Sequence, residues 1–166
     1  MADSTSRFTL TSPAFQDGGT LPKAHVHSAM GAAGDNRSPA LQWSGAPAGT
    51  QSFAVTCYDP DAPTGSGWWH WVVHGLPADC TGLPEGAGSG GALPAGAVQG
   101  RTDFGSEGYG GAAPPPGDKP HRYIFTVYAL KVPRLDVPAD ATAAMVGFNI
   151  HFAKLGQASI TALYGR

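Results

Sequence analysis

Three stretches of the chain are apolar almost without interruption, and each has Gly, Pro or Asp within a few residues of both ends. They are Ser52–Tyr58, Trp68–His74 and Ile124–Leu130, all rich in β-branched and aromatic residues. Apolar runs this short, closed off by turn formers, predict buried strands rather than helices. Phe8–Leu10, Ala40–Trp43, Ala97–Arg101 and Ala158–Tyr164 read as further, shorter strands. Turn signals lie between them, at Asp17-Gly18-Gly19-Thr20, from Gly34 to Pro39 and from Gly45 to Thr50. One segment changes period. Ala141, Ala144, Met145, Phe148 and Phe152 recur at helical spacing and predict a helix from Pro138 or Asp140 to about Phe152. Pro138 and Asp140 suit its first turn and Gly156 its end. Together these elements predict an all-β sandwich or barrel with one short helix near the C-terminal end. Between Gly75 and Pro120 the chain is rich in Gly and Pro. Loops that long inside a compact domain tend to be functional, and Arg101, Asp103, Phe104 and Tyr109 mark this one as an ordered wall.

Composition narrows the picture. A chain of 166 residues fits one domain, 1–166, with residues 1–7 expected as a frayed tail. A formal net charge of -2 offers nothing to nucleic acid or to an anionic membrane. No apolar run is long enough to span a bilayer, so stable membrane insertion is not expected. The first residues lack a basic start and apolar core, and Cys57 and Cys80 do not make a disulfide framework. A cytoplasmic protein with reduced thiols is the expectation. Cys57 lies in an apolar strand and reads as a small hydrophobe, not a nucleophile.

The chemistry is concentrated in two places. Asp59-Pro60-Asp61-Ala62-Pro63 is followed shortly by Trp69-His70-Trp71, and His121-Arg122-Tyr123 opens the third apolar run. A structural turn needs one Asp or one Pro, not this density. Strand alternation puts His121 and Tyr123 on one face and Arg122 on the other, where an ion pair suits it. The same alternation groups His70 with Val72 and His74, and Trp69 with Trp71. Convergence of Asp59, His70, His121 and Tyr123 would give a carboxylate, two imidazoles and a phenol. Imidazolium and phenol donate to an anion, and the carboxylate would favour a charged histidine or meet a ligand ammonium. Asp61 is either a second pocket acid or a turn residue. His25 and His27, without further ligand spacing, read as surface residues, so no metal site is expected.

With these motifs the chain resembles the phosphatidylethanolamine-binding protein (PEBP) family, in its bacterial Raf-kinase-inhibitor-like branch. One family signature is matched by Asp59 to Pro63 with Trp69-His70-Trp71, and a second by His121 to Tyr128. Ser38 to Trp43, Asp103-Phe104-Gly105 and Gly108-Tyr109-Gly110-Gly111 fit the bacterial branch, and the chain departs from the pattern at Ala112 and His74. The resemblance implies a two-sheet antiparallel β-sandwich with Greek-key connections and a small anion-binding pocket near one edge. It carries Asp59, Asp61, His70, His121 and Tyr123 to pocket positions. It puts Gly110 and Gly111 in a rim turn whose backbone N–H groups could face an anion. A small anionic ligand such as a phosphate ester or phospholipid headgroup is thereby implied, with no cofactor. A kinase or protease partner and a homodimer are implied only by the family. The other function class is an enzyme: a metal-dependent or acid–base hydrolase using Asp59, His70 and His121, although no nucleophile or metal motif stands out.

Overall fold

The computed structural model describes residues 7–166. Its largest element is a sheet of five strands in the order β6-β4-β3-β7-β8. These are β3 (Ser52–Asp59), β4 (Trp68–Pro77), β6 (Val98–Gln99), β7 (His121–Leu130) and β8 (Lys154–Tyr164). A smaller sheet holds β1 (Thr9–Thr11), β2 (Leu41–Ser44) and β5 (Gly82–Leu83) in the order β1-β2-β5. All strand pairs are antiparallel. The chain leaves β3 through β4 to β6 and returns with β7 beside β3, which is Greek-key order. The three long apolar runs are therefore neighbours at the centre of one sheet. Each gained residues at an end, because ladder pairing continues past the last apolar position.

The core between the sheets follows strand alternation. Phe53, Val55 and Cys57 of β3 meet Tyr123, Phe125 and Val127 of β7, with Leu10, Leu41 and Trp43 from the smaller sheet. A second core lies on the outer face of the large sheet, where Ala54, Val72 and Leu130 pack under α1 (Ala143–Ala153).

That helix corrects the expectation in two ways. It starts at Ala143, with Thr142 as N-cap, whose hydroxyl accepts from the Met145 amide at 3.1 Å. It ends at Ala153, and Gly156 lies within β8 rather than closing the helix. Its buried face is Ala143, Val146, Ile150 and Ala153, whereas Met145, Phe148 and Phe152 are exposed. The helix is apolar nearly all round, so periodicity did not single out the inward side. His25 is likewise corrected: it is buried in a 3-10 turn (Lys23–His25), with Nδ1 2.7 Å from the Arg37 carbonyl.

Candidate functional site

Two strand ends and one loop assemble a cavity at the edge of the sandwich. Asp59 closes β3 and His121 opens β7, so both present buried side chains at one end of the central strand pair. Tyr123 follows two residues on, on the same face, as alternation requires. His70 arrives by a different route. Cys57 pairs with Trp71 and Tyr58 with Trp69, so His70 is an extra residue in β4, a β-bulge. The bulge breaks the expected alternation. Trp69 packs against the outer core and Trp71 enters the inner one, so they do not share a face. His70 turns inward, its ring 5.2 Å from that of Tyr123 between centroids.

Each charge at the floor is held. One Asp59 oxygen accepts the Asp61 amide at 2.7 Å, an Asx turn that Pro60 helps to set. The other lies 2.7 Å from His121 Nδ1. His121 Nε2 is 3.0 Å from Asp118, a loop residue just before β7. Burial opposes the charge on this ring, but its hydrogen bonds to Asp118 and Asp59 outweigh it and raise the pKa above the ordinary histidine value. His121 is thus an imidazolium donating to two carboxylates, with no lone pair left for a cation.

His70 is the opposite case. Burial lowers its pKa to about 4, more than the backbone bonds from Gly110 and Gly111 can offset. Its Nδ1 donates to the Gly110 carbonyl at 2.7 Å, and the His70 carbonyl accepts the Gly110 amide at 2.8 Å. The ring is neutral near pH 7, with Nε2 left for the cavity. Burial also raises the Tyr123 pKa, helped by Asp59 and Cys57, so the phenol keeps its proton. The Cys57 thiol is raised by burial and by Asp59, and so stays a thiol.

The cavity above this floor measures about 200 Å³. Its walls are mostly apolar: Met30, Pro63, Trp68, Phe104, Pro114 and Pro115. The Phe104 ring lies 5.5 Å from His70 and 5.2 Å from Trp68 between centroids. It fits there because position 110 is glycine: a Cβ on Gly110 would sit 2.4 Å from the Phe104 ring. Trp68 Nε1 is buried without a hydrogen-bond partner among the described residues.

Asp59, His70, His121 and Tyr123 therefore converge as the motifs suggested. Asp61 does not join them. Its carboxylate grips Arg122, with Nε and Nη2 each at 2.9 Å, and points away from the cavity lining. A polar partner available in solvent outcompeted the crowded floor. Gly110 and Gly111 lie behind Phe104 and His70 and are not part of the cavity lining, and their amides are not free to face an anion. The Gly110 amide bonds the His70 carbonyl, and the Gly111 amide donates to Asn36 Oδ1 at 2.7 Å. The motifs marked Phe104 as part of an ordered wall but passed over Trp68 and Asp118. Trp68 adjoins the Trp69-His70-Trp71 signal, and Asp118 stands three residues before His121, but nothing in either spacing reports a side-chain direction.

Comparisons with known proteins agree with this fold. A family model described as phosphatidylethanolamine-binding protein matches residues 11–165. The chain is 62% identical over 156 residues to the UPF0098 protein YbhB of Escherichia coli, covering 93% of this chain and 98% of that one. The crystal structure of Escherichia coli YbcL, described as a new member of the mammalian PEBP family, superposes with a TM-score of 0.94 at 52% identity, over 97% of this chain and 99% of that one. A PEBP homologue from Chlamydia trachomatis, CT736, superposes at 0.81 with 30% identity, over 96% of this chain and 97% of that one. A sandwich with this topology, a bulged His70, an Asp59–His121 floor and a match over nearly the whole length leave one conclusion: the chain belongs to the phosphatidylethanolamine-binding protein family.

Proposed function

We propose that this protein is a binding module whose cavity takes a small anionic headgroup of the phosphate-ester kind, with an apolar group against the rim. One observation carries the reading. The buried floor offers hydrogen-bonding groups that the protein itself leaves unused, inside walls that are otherwise apolar. His70 Nε2 is the free end of a ring anchored at Nδ1, and no described residue hydrogen-bonds the Tyr123 hydroxyl. Trp68 Nε1 in the same wall is enclosed with no partner among the described residues, and buried polar groups normally find partners, so free groups lining this cavity favour a polar ligand atom there.

The anion is held by neutral groups, since the one positive charge at the floor, on His121, is matched by Asp59 and exceeded once Asp118 is counted. A monoprotonated phosphate ester suits this floor, because it can donate to His70 Nε2 and accept from Tyr123. Sulfate cannot donate, so it binds with uptake of a proton by His70. Its affinity then rises as pH falls, by up to about tenfold per unit, until the free ring itself titrates. The pKa of about 4 for His70 puts that limit well below pH 6.

The hydrolase reading is less favoured. Asp59 and His121 are committed to one another and Asp59 makes no hydrogen bond to His70, so the one free ring nitrogen, on a histidine with a pKa of about 4, is a weak base with no carboxylate behind it. Calorimetry with sulfate and with phosphoethanolamine, from pH 5 to pH 8, tests the proposal. His70→Ala and Tyr123→Phe should each weaken binding about tenfold or more. Affinities that ignore both substitutions, or sulfate affinity that climbs with pH, would overturn it.

A further inference from the structure

The large sheet carries a second bulge, and it too delivers a histidine. Phe53 pairs with Leu76 and Val55 with Val73, so one residue of β3 opposes two of β4, His74 and Gly75. Gly75 has φ +73, and a Cβ there would sit 2.6 Å from the Gly96 carbonyl oxygen, so the bulge depends on glycine. His74 is 5% exposed, and its Nδ1 has no hydrogen-bond partner among the described residues. It lines a cavity of about 500 Å³ between the β4–β6 edge and the loop leading to α1. No residue of this lining belongs to the cavity at Asp59.

We infer that this cavity is a second binding site, for a small organic carboxylate with a compact apolar body. Arg134 lines it with His74, and no Asp or Glu does. The ion-paired arginines are Arg37 and Arg122, both elsewhere; Arg134 forms no salt bridge among the described residues. The third polar lining residue, Gln51, uses its amide nitrogen on the Lys131 carbonyl at 2.9 Å. The site therefore holds one permanent positive charge and one buried imidazole without a partner. Pro133, Leu135 and Val137 give it apolar walls. A guanidinium fork matches the two oxygens of a carboxylate, and an imidazole N–H adds one further bond. A phosphate would bring more acceptor oxygens than these two groups satisfy. The volume lies within the ordinary range of small-ligand pockets. Burial lowers the pKa of His74, so the imidazole meets the ligand in its neutral form.

NMR titration of the full chain with benzoate tests the site, with benzyl alcohol as the uncharged control. Benzoate should produce saturable shifts of the His74 imidazole and of the Gln51 and Gly96 amides, and benzyl alcohol should not. Arg134→Gln, an exposed position that leaves the core untouched, should weaken benzoate at least tenfold. Tyr123→Phe should leave benzoate binding unchanged, which separates this site from the first cavity. Shifts confined to His70 and Tyr123, equal responses to the two probes, unchanged affinity in Arg134→Gln, or no saturation at millimolar benzoate would each overturn the inference.

Discussion

His70 and His121 line the same cavity and expose little surface, 4% and 3%, yet they are held in opposite protonation states. His121 has a carboxylate at each ring nitrogen and is kept charged. His70 has a backbone carbonyl at one nitrogen and an apolar surround, and is kept neutral. Burial opposes the charge on both rings, more strongly at His70, and only His121 has carboxylates to reverse it. The contrast assigns different work to the two rings. His121 serves as a fixed charge that fastens Asp59 to the loop before β7. His70 is a neutral group whose second nitrogen is open to a ligand.

Four measurements would break or sharpen this contrast. The largest effect is expected from Asp59→Ala, which leaves His121 buried with one carboxylate instead of two. It should destabilise the protein by about 3 kcal/mol in urea denaturation; a loss below about 1 kcal/mol would mean that Asp118 alone sustains the charged ring. On the other side, Gly110→Ala drives a Cβ into the Phe104 ring and disturbs the loop that anchors His70. A cost of about 2 kcal/mol is expected, with the His70 titration midpoint moving to higher pH as water reaches the ring. Unchanged stability would show that Phe104 is not confined there.

The third measurement is pH dependence, where the two rings pull in opposite directions. The folded-state pKa of His121 is raised, so its contribution is complete below the unfolded value of ~6.5 and is lost as pH rises through the folded value. His70 is lowered, so its contribution is complete above ~6.5 and is lost as pH falls toward about 4. Melting temperature should therefore decline on both sides of neutrality. Imidazole NMR should assign the alkaline limb to His121 and the acid limb to His70; the reverse assignment would invert the contrast. The smallest effect belongs to Asp61→Ala. Its bond to Arg122 is bidentate but solvent-facing, and should be worth about 0.5 kcal/mol. The Arg122 hydrogen bond holds the Asp61 pKa at about 2, so this small term is present above ~3.9 and fades only as pH falls toward that value. A loss near that of Asp59→Ala would show that the rim, and not the floor, supports the site.

Strand alternation made much of this readable in the residues. Asp59, His121 and Tyr123 lie on regular ladder, so a period of two carries their direction, and Arg122 falls on the other side as that period requires. His70 does not, because a bulge inserts one residue without leaving any periodic trace. The order Trp69-His70-Trp71 looks the same with the bulge or without it. The helix failed for a related reason. In Ala143–Ala153 nearly every position is apolar, so inward and outward faces share a composition and only packing against Val72 and Leu130 separates them. The amides of Gly110 and Gly111 are settled by Asn36 and His70, partners distant in sequence that no local pattern reports.

The paired bonds between His70 and Gly110 resemble a single rung laid between a strand and a loop. A second rung lies upstream in the same loop, where the Trp69 amide donates to Asp103 Oδ2 at 2.7 Å and the Asp103 amide donates to the Trp69 carbonyl at 3.1 Å. A loop moored at both ends has a set length between its moorings. An insertion at Ser106 or Glu107, both exposed, falls between the two rungs and should shift Phe104 against His70. Moorings on two neighbouring residues of β4 make this wall of the cavity an extension of the strand.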